Sequence, residues 1–199
     1  CNLMIMKNLL DIQNIRKKFS ILYDNNLIYF DNASTSLKPD IVIDKIKSYY
    51  SSYPANVHRS IYKIGLKASE EYENVRKKIK ELLNAESIKN IIFTSGTTES
   101  INLISHSWGL QNLNENDEIL LTEMEHHSNI VPWQICSQKT GCKIRYIAIN
   151  NQGELDLSNI NELINEKTKL VSLIHQSNVL GTVNPIKEII QIAKKQGAI

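Results

Sequence analysis

Apolar and polar positions recur along this chain with two periods, and the switches between them mark out its elements. Leu9, Ile12, Ile15 and Phe19 keep roughly helical spacing, with Arg16, Lys17 and Lys18 between them, which predicts a short amphipathic helix up to about residue 23. Asn25-Asn26 punctuates the chain, 27–30 (Leu-Ile-Tyr-Phe) is a short β-like run, and 31–35 is a loop of small polar residues. Pro39 suits the first turn of a helix that carries Val42, Ile46, Tyr49 and Tyr50 on one face. After a loop at 53–56, Ala68, Tyr72, Val75, Ile79 and Leu82 form the apolar stripe of a long helix ending near Leu83.

From there strand and helix patterns alternate. Strands are predicted over 91–94, 118–122, 143–149 and 169–174. Helices are predicted over 97–108, closed by Gly109; over 130–140, with Pro132 in the first turn and Gly141 as the stop; over 157–165; and over 185–195, with Asn184 as N-cap. Repeated strand–helix units with short connections imply an α/β fold, a mostly parallel sheet flanked by helices. Ligands of such sheets bind beyond the carboxyl ends of the strands, which directs attention to 95–98, 123–129 and 175–178.

Composition narrows the function classes. Lys plus Arg number 23 and Asp plus Glu 21, a net charge of +2, so no nucleic-acid partner is expected. No apolar run approaches a membrane span, and no membrane partner is expected either. The N-terminus does not read as a secretory signal, because Asp11, Arg16, Lys17 and Lys18 soon interrupt its apolar residues. Cys1, Cys136 and Cys142 have neither a paired spacing nor a zinc-like one, which favours reduced, buried thiols over a disulfide or metal role.

Three segments carry candidate chemistry. Ser95-Gly96-Thr97-Thr98-Glu99 follows a strand pattern and opens a helix. Gly96 lets a ligand approach the backbone, and the free N–H groups with the hydroxyls of Thr97 and Thr98 suit a phosphate. The same residues also read as an ordinary N-cap by Ser95 or Thr97, and the two readings are compatible. Walker and G-x-G-x-x-G spacings are absent. Glu123-Met124-Glu125-His126-His127 packs two acids and two histidines after a strand. Adjacent histidines point apart, so no metal site is expected; one imidazole stacked on a ring-shaped ligand and a plain exposed loop both remain open. In 175–182, Asn178 has an amide that can donate to and accept from a ring substituent, while Asn178 and Gly181 equally suit a turn. Arg59 reads as a surface ion-pair residue, His58 as a satisfied loop or core histidine, and His106 as structural.

Together these segments resemble the class V aminotransferase-fold enzymes, specifically the SUF-type cysteine desulfurases. The resemblance rests on 29–33 (Tyr-Phe-Asp-Asn-Ala), 56–59 (Asn-Val-His-Arg), 96–99 (Gly-Thr-Thr-Glu), the long specific run 123–134 and 177–182, in the family's order and spacing from about Leu27 onward. It implies a fold type I large domain working with pyridoxal 5′-phosphate (PLP) in a homodimer. By position, Thr97 and Thr98 hold the cofactor phosphate, His126 stacks on the ring and Asn178 contacts its phenolic oxygen. Ala33, Ser34 and His58 lie near the substrate. The implied reaction converts L-cysteine, or alternatively L-selenocysteine, to L-alanine. It leaves a persulfide on an enzyme cysteine for a sulfur-acceptor protein of the SUF pathway of iron–sulfur cluster assembly.

The resemblance also implies an organisation: a helical arm at 1–26, then at 27–199 a large domain that ends before the Schiff-base lysine, its partner aspartate and the nucleophilic cysteine of a second domain. No catalytic residue is therefore expected within the chain, which reads as an N-terminal fragment inactive on its own. Ser34, Ser60, Tyr62 and Ser95 depart from the family pattern without removing an assigned cofactor contact. A selenocysteine lyase or another enzyme of the same fold is the nearer alternative, and a truncated non-catalytic chain the more distant one. The implied location is the cytoplasm or an organelle stroma.

Overall fold

In a computed structural model, which describes residues 11–23 and 27–199, the chain divides into two compact units, Cys1–Ile92 and Phe93–Ile199. Leu9 and Asn25-Asn26, which entered the predicted arm, lie outside the described residues.

The first unit is helical. The predicted first helix is two short ones, α1 (Ile12–Arg16) and α2 (Ser20–Tyr23). Asp11 caps α1 through Asn14 N at 3.0 Å, and Asp40 Oδ1 accepts from Ser20 N at 3.0 Å and Ser20 Oγ at 2.6 Å. That tie fastens α2 to the start of α3 (Asp40–Ser52), where Pro39 occupies the N-cap position, one step before the first turn. The long predicted helix is α4 (Lys63–Leu82). Lys45 on α3 meets Glu71 on α4 at 2.7 Å, and Lys67 lies over the buried Tyr53 ring at 4.3 Å. Arg76 pins the turn after α4, with Nη2 donating to Ile88 O at 2.8 Å and Nε to Ile91 O at 3.2 Å.

Two predicted strands are corrected: 27–30 and 91–94 run as irregular chain. β propensity records what suits a pleated, half-buried surface and does not supply a neighbouring strand.

The second unit holds the sheet. After α5 (Thr97–Ile104) the helical path continues through a π turn at Ser105–Gly109 and a last turn at Leu110–Asn112, so Gly109 does not close the helix as predicted. A Cβ at Gly109 would stand 3.0 Å from Cys136 Sγ, so this glycine permits close helix packing and does not end the helix. β1 (Glu118–Thr122) follows, then α6 (Val131–Thr140), with Pro132 in its first turn and Gly141 left-handed at its end, both as predicted. Then come β2 (Lys143–Ile147), α7 (Ile160–Leu163), β3 (Thr168–Val171) and α8 (Ile186–Lys195). β2, α7 and β3 are shorter than predicted.

The three strands pair in parallel, in the order β2-β1-β3. The central strand is buried on both faces, as parallel sheets require. Ile119 and Leu121 pack with Trp133, Cys136 and Cys142 on one side, and Leu120 packs with Ile147, Ile160, Leu163 and Ile189 on the other. The predicted α/β architecture of a parallel sheet flanked by helices is therefore present. Asn184 is not the N-cap of α8. Pro185 holds that position, and Asn184 turns inward, donating from Nδ2 to Ile174 O at 2.7 Å and to Met124 Sδ at 3.3 Å.

Candidate cofactor site

The start of α5 is open. Among the described residues no side chain caps its first N–H groups, contrary to the expectation that Ser95 or Thr97 would. Glu99 instead folds back, its Oε2 accepting from Ser95 N and Ser95 Oγ, both at 2.6 Å. The Ser95 hydroxyl and then its N–H hold the Glu99 carboxyl below its usual range. Gly96 sits at the N-cap in extended backbone, and a Cβ there would meet nothing within 4 Å. Thr97 and Thr98 are exposed, with hydroxyls that bond no other group among the described residues. Free N–H groups, two hydroxyls and an unfilled volume at a helix N-terminus are the donor set that a phosphate fits.

The turn beside α5 carries the histidine pair. α5 packs against the short 3₁₀ turn His127–Asn129. His126 caps this turn, its Nδ1 accepting from Ser128 N at 3.1 Å and lying 2.8 Å from Ser128 Oγ. With Nδ1 accepting, the neutral ring keeps its proton on Nε2. The ring is exposed and oriented by its own cap, which suits it to stack on a planar ligand. His127 crosses it edge-on at 6.0 Å. Among the described residues no group of three His, Cys, Asp or Glu is arranged to hold a metal ion.

The segment after β3 forms a tight turn. Ser177 N donates to Thr182 O and Gly181 N to Ser177 O, both at 2.9 Å, while Ser177 Oγ accepts from Leu180 N at 3.1 Å. Gly181 takes the left-handed conformation, φ 75°, that the turn requires. Asn178 stands exposed on this turn, its amide without a partner among the described residues. It is thus both a turn residue and a free donor–acceptor pair.

Glu125 and Asn129 join these loops, and sequence reasoning assigned them no role. Glu125 Oε1 accepts from Thr122 Oγ1 and from Ile174 N, each at 2.7 Å, and its Oε2 accepts from Asn129 Nδ2 at 2.8 Å. Asn129 Oδ1 accepts from Trp133 Nε1 at 2.9 Å and Ser172 Oγ at 2.7 Å. The available signal was a polar cluster continuing directly from a buried strand.

Ala33, Ser34 and His58 belong to the first unit. Ala33 and Ser34 are exposed in the turn after Asp31, where Ser34 N donates to Asp31 O at 3.2 Å. His58 has φ 65°, its Nε2 lies 2.8 Å from Glu73 Oε1, and its N–H donates to Ser69 Oγ at 2.9 Å. It is a satisfied loop histidine. His106 is also structural, with Nδ1 2.9 Å from Asn102 O. Cys136 and Cys142 are buried and unpaired, and burial pushes the Cys136 thiol up, which disfavours a nucleophilic thiolate. An apolar cavity of about 440 Å³ lies between β3 and α8; it is lined by Val171, Leu173, Ile186 and Ile189 among others, and none of Thr97, Thr98, His126 or Asn178 reaches it. Among the described residues no helix is long and apolar enough to cross a membrane.

The second unit is thus built like the open parallel α/β proteins that bind ligands at the carboxyl edge of the sheet. A model of one such family, aminotransferase class-V, matches residues 28–199, and the chain belongs to that family. A probable cysteine desulfurase of Halalkalibacterium halodurans is 44% identical over 194 residues, covering 96% of this chain and 48% of the relative. A cysteine desulfurase of Synechococcus elongatus is 42% identical over 94% of this chain and 31% of its own length. The solved apo structure of a cysteine desulfurase from Thermococcus onnurineus superposes with a TM-score of 0.87 at 38% identity, over 94% of this chain and 46% of that one. The chain spans about half the length of these relatives, or less. The cysteine desulfurases of this family are PLP-dependent enzymes.

Proposed function

We propose that these residues form the cofactor-holding part of a PLP-dependent cysteine desulfurase of the SUF type. The observation that carries the reading is the start of α5, which among the described residues has no side-chain cap, open space at Gly96 and two hydroxyls without partners, packed beside the turn that His126 caps. Thr97 and Thr98 would hold the phosphate through hydroxyls and first-turn N–H groups. His126 would lie on the ring face, its orientation set by Ser128, and Asn178 would meet the phenolic oxygen with its amide. Ala33, Ser34 and His58 would stand near the substrate, His58 with its outer nitrogen already engaged by Glu73. When bound, PLP supplies the electron sink for deprotonation at the substrate Cα.

On this reading the whole enzyme takes L-cysteine to L-alanine and passes the sulfur, as a cysteine persulfide, to an acceptor protein for iron–sulfur cluster assembly. It works as a homodimer in a reducing compartment, the cytoplasm or an organelle stroma. On the same reading the 199 residues alone do not turn over cysteine: by the resemblance, neither Cys136 nor Cys142 stands at the nucleophile's position, and no lysine here matches the one that holds the cofactor.

The test is PLP binding by the full chain, followed by absorbance and induced circular dichroism, in wild type, His126→Ala and His126→Phe. The alanine variant should lose the ring-face contact and the phenylalanine variant should keep part of it. Identical spectra and affinities in all three would remove His126 from the site. Alanine release from L-cysteine by the 199-residue chain, above the rate of free PLP, would overturn its inactivity.

A further inference from the structure

Trp133 Nε1 can only donate, so Asn129 must turn its Oδ1 towards it. Ser172 Oγ donates to the same oxygen. The amide orientation is then decided, and Asn129 Nδ2 points at Ser172 O, 3.2 Å away, and at Glu125 Oε2, 2.8 Å away. Glu125 Oε2 must therefore accept. Its other oxygen must accept too, because the Ile174 N–H donates to it at 2.7 Å. Position 125 thus needs two acceptors on one planar group, which an ionised carboxylate supplies and an amide cannot. A glutamine would set an N–H against either Asn129 Nδ2 or Ile174 N, and Asn129 cannot flip to relieve this while Trp133 holds it.

This network joins two loops that the strand pairing alone leaves separate. Glu125 directly precedes His126, and Ile174 lies in the segment leading from β3 to Asn178. Resting on the function proposed above, we infer that Glu125 is a positioning residue. Through Asn129, Ser172 and the Ile174 amide it locks the His126 loop to the Asn178 loop, so that the ring-face contact and the phenolic-oxygen contact are presented in one fixed geometry. Groups that orient metal-binding side chains change metal affinity by roughly tenfold or more when removed, and the same support is needed by side chains that meet an organic cofactor.

The experiment titrates PLP into the full chain as wild type, His126→Ala, Glu125→Gln and Ser172→Ala, reading affinity, induced circular dichroism at saturation and Ile174 amide exchange. Glu125→Gln should raise the PLP dissociation constant by roughly tenfold, alter the dichroism per bound cofactor and speed Ile174 exchange. Ser172→Ala should do the same more weakly, and it carries the test if Glu125→Gln does not fold. A purely structural role would lower stability without changing the dichroism at saturation, and that result overturns the inference. If His126→Ala changes the dichroism while the folded Glu125 or Ser172 variants keep wild-type values, the positioning role alone fails. If wild type does not bind PLP, or His126→Ala leaves its spectra unchanged, the function reading fails and this inference falls with it.

Discussion

Gly96→Ala separates a glycine kept for a ligand from one kept for the backbone. Gly96 has φ 162° and ψ −178°, extended backbone that any residue adopts, and a Cβ there meets no heavy atom within 4 Å. In the protein alone the substitution removes unfolded-state freedom, worth up to about 1 kcal/mol, against a loss of about the same size because alanine is a much poorer N-cap than glycine. Stability should therefore stay within about 1 kcal/mol of wild type. With a phosphate in the cradle, the methyl group stands where an oxygen approaches the first-turn N–H groups. Losing one hydrogen bond to a charged group costs about 1.5–3 kcal/mol, roughly tenfold to a hundredfold in the dissociation constant. Urea denaturation gives the first quantity and PLP titration of the full chain the second. Unchanged PLP affinity would show that the open volume is not the phosphate's place. A stability loss well above 1 kcal/mol would show that Gly96 is structural.

Gly109→Ala makes the opposite prediction. Its Cβ would stand 3.0 Å from Cys136 Sγ, so an overpacking cost of about 1–3 kcal/mol outweighs about 1 kcal/mol of helix propensity. Urea midpoints should fall, and adding Cys136→Ala should recover part of the loss in a double-mutant cycle; a net gain in Gly109→Ala contradicts the packing argument. Glu99 is held ionised in the fold by Ser95, so its contribution is present above the ordinary carboxyl value of 4.5 and is lost as pH falls below it. Ser95→Ala should flatten that acid-side fall in urea stability, and equal slopes in the two proteins would refute the linkage. Native alkylation of Cys136 and Cys142, mapped by mass spectrometry, should be slower than in urea by roughly tenfold or more; equal rates would show that the thiols are accessible.

The parts of the fold that were legible are those where one physical signal suffices. The run Ile119-Leu120-Leu121 is apolar at every position, and burial on both faces of a parallel sheet asks for nothing more, so β1 matches its predicted bounds. Gly141 was legible because a left-handed helix end strongly favours glycine. The misses all depend on a neighbour. The runs 27–30 and 91–94 resemble strands in composition, but a strand exists only through its partner. Gly109 looked like a helix stop because its real constraint, the sulfur of Cys136, lies 27 positions further along the chain. Asn184 has the chemistry of a cap and spends it on Ile174 O and Met124 Sδ.

The candidate site divides in the same way. Strand-end reasoning located the three segments, and the residue types within them suggested a phosphate and a planar ring. It could not tell Glu123 from Glu125, which share a parity and so would share a face if the strand continued. The chain turns at that point, with Glu125 N 3.4 Å from Thr122 O. Glu123 stays exposed and accepts from Ile149 N at 3.2 Å, while Glu125 is half-buried and accepts from three donors. That glutamate rather than glutamine is specified there follows from the Trp133 N–H, two residues removed in the network. This indole donor orients Asn129, and Asn129 together with the Ile174 amide leaves position 125 only acceptors to offer.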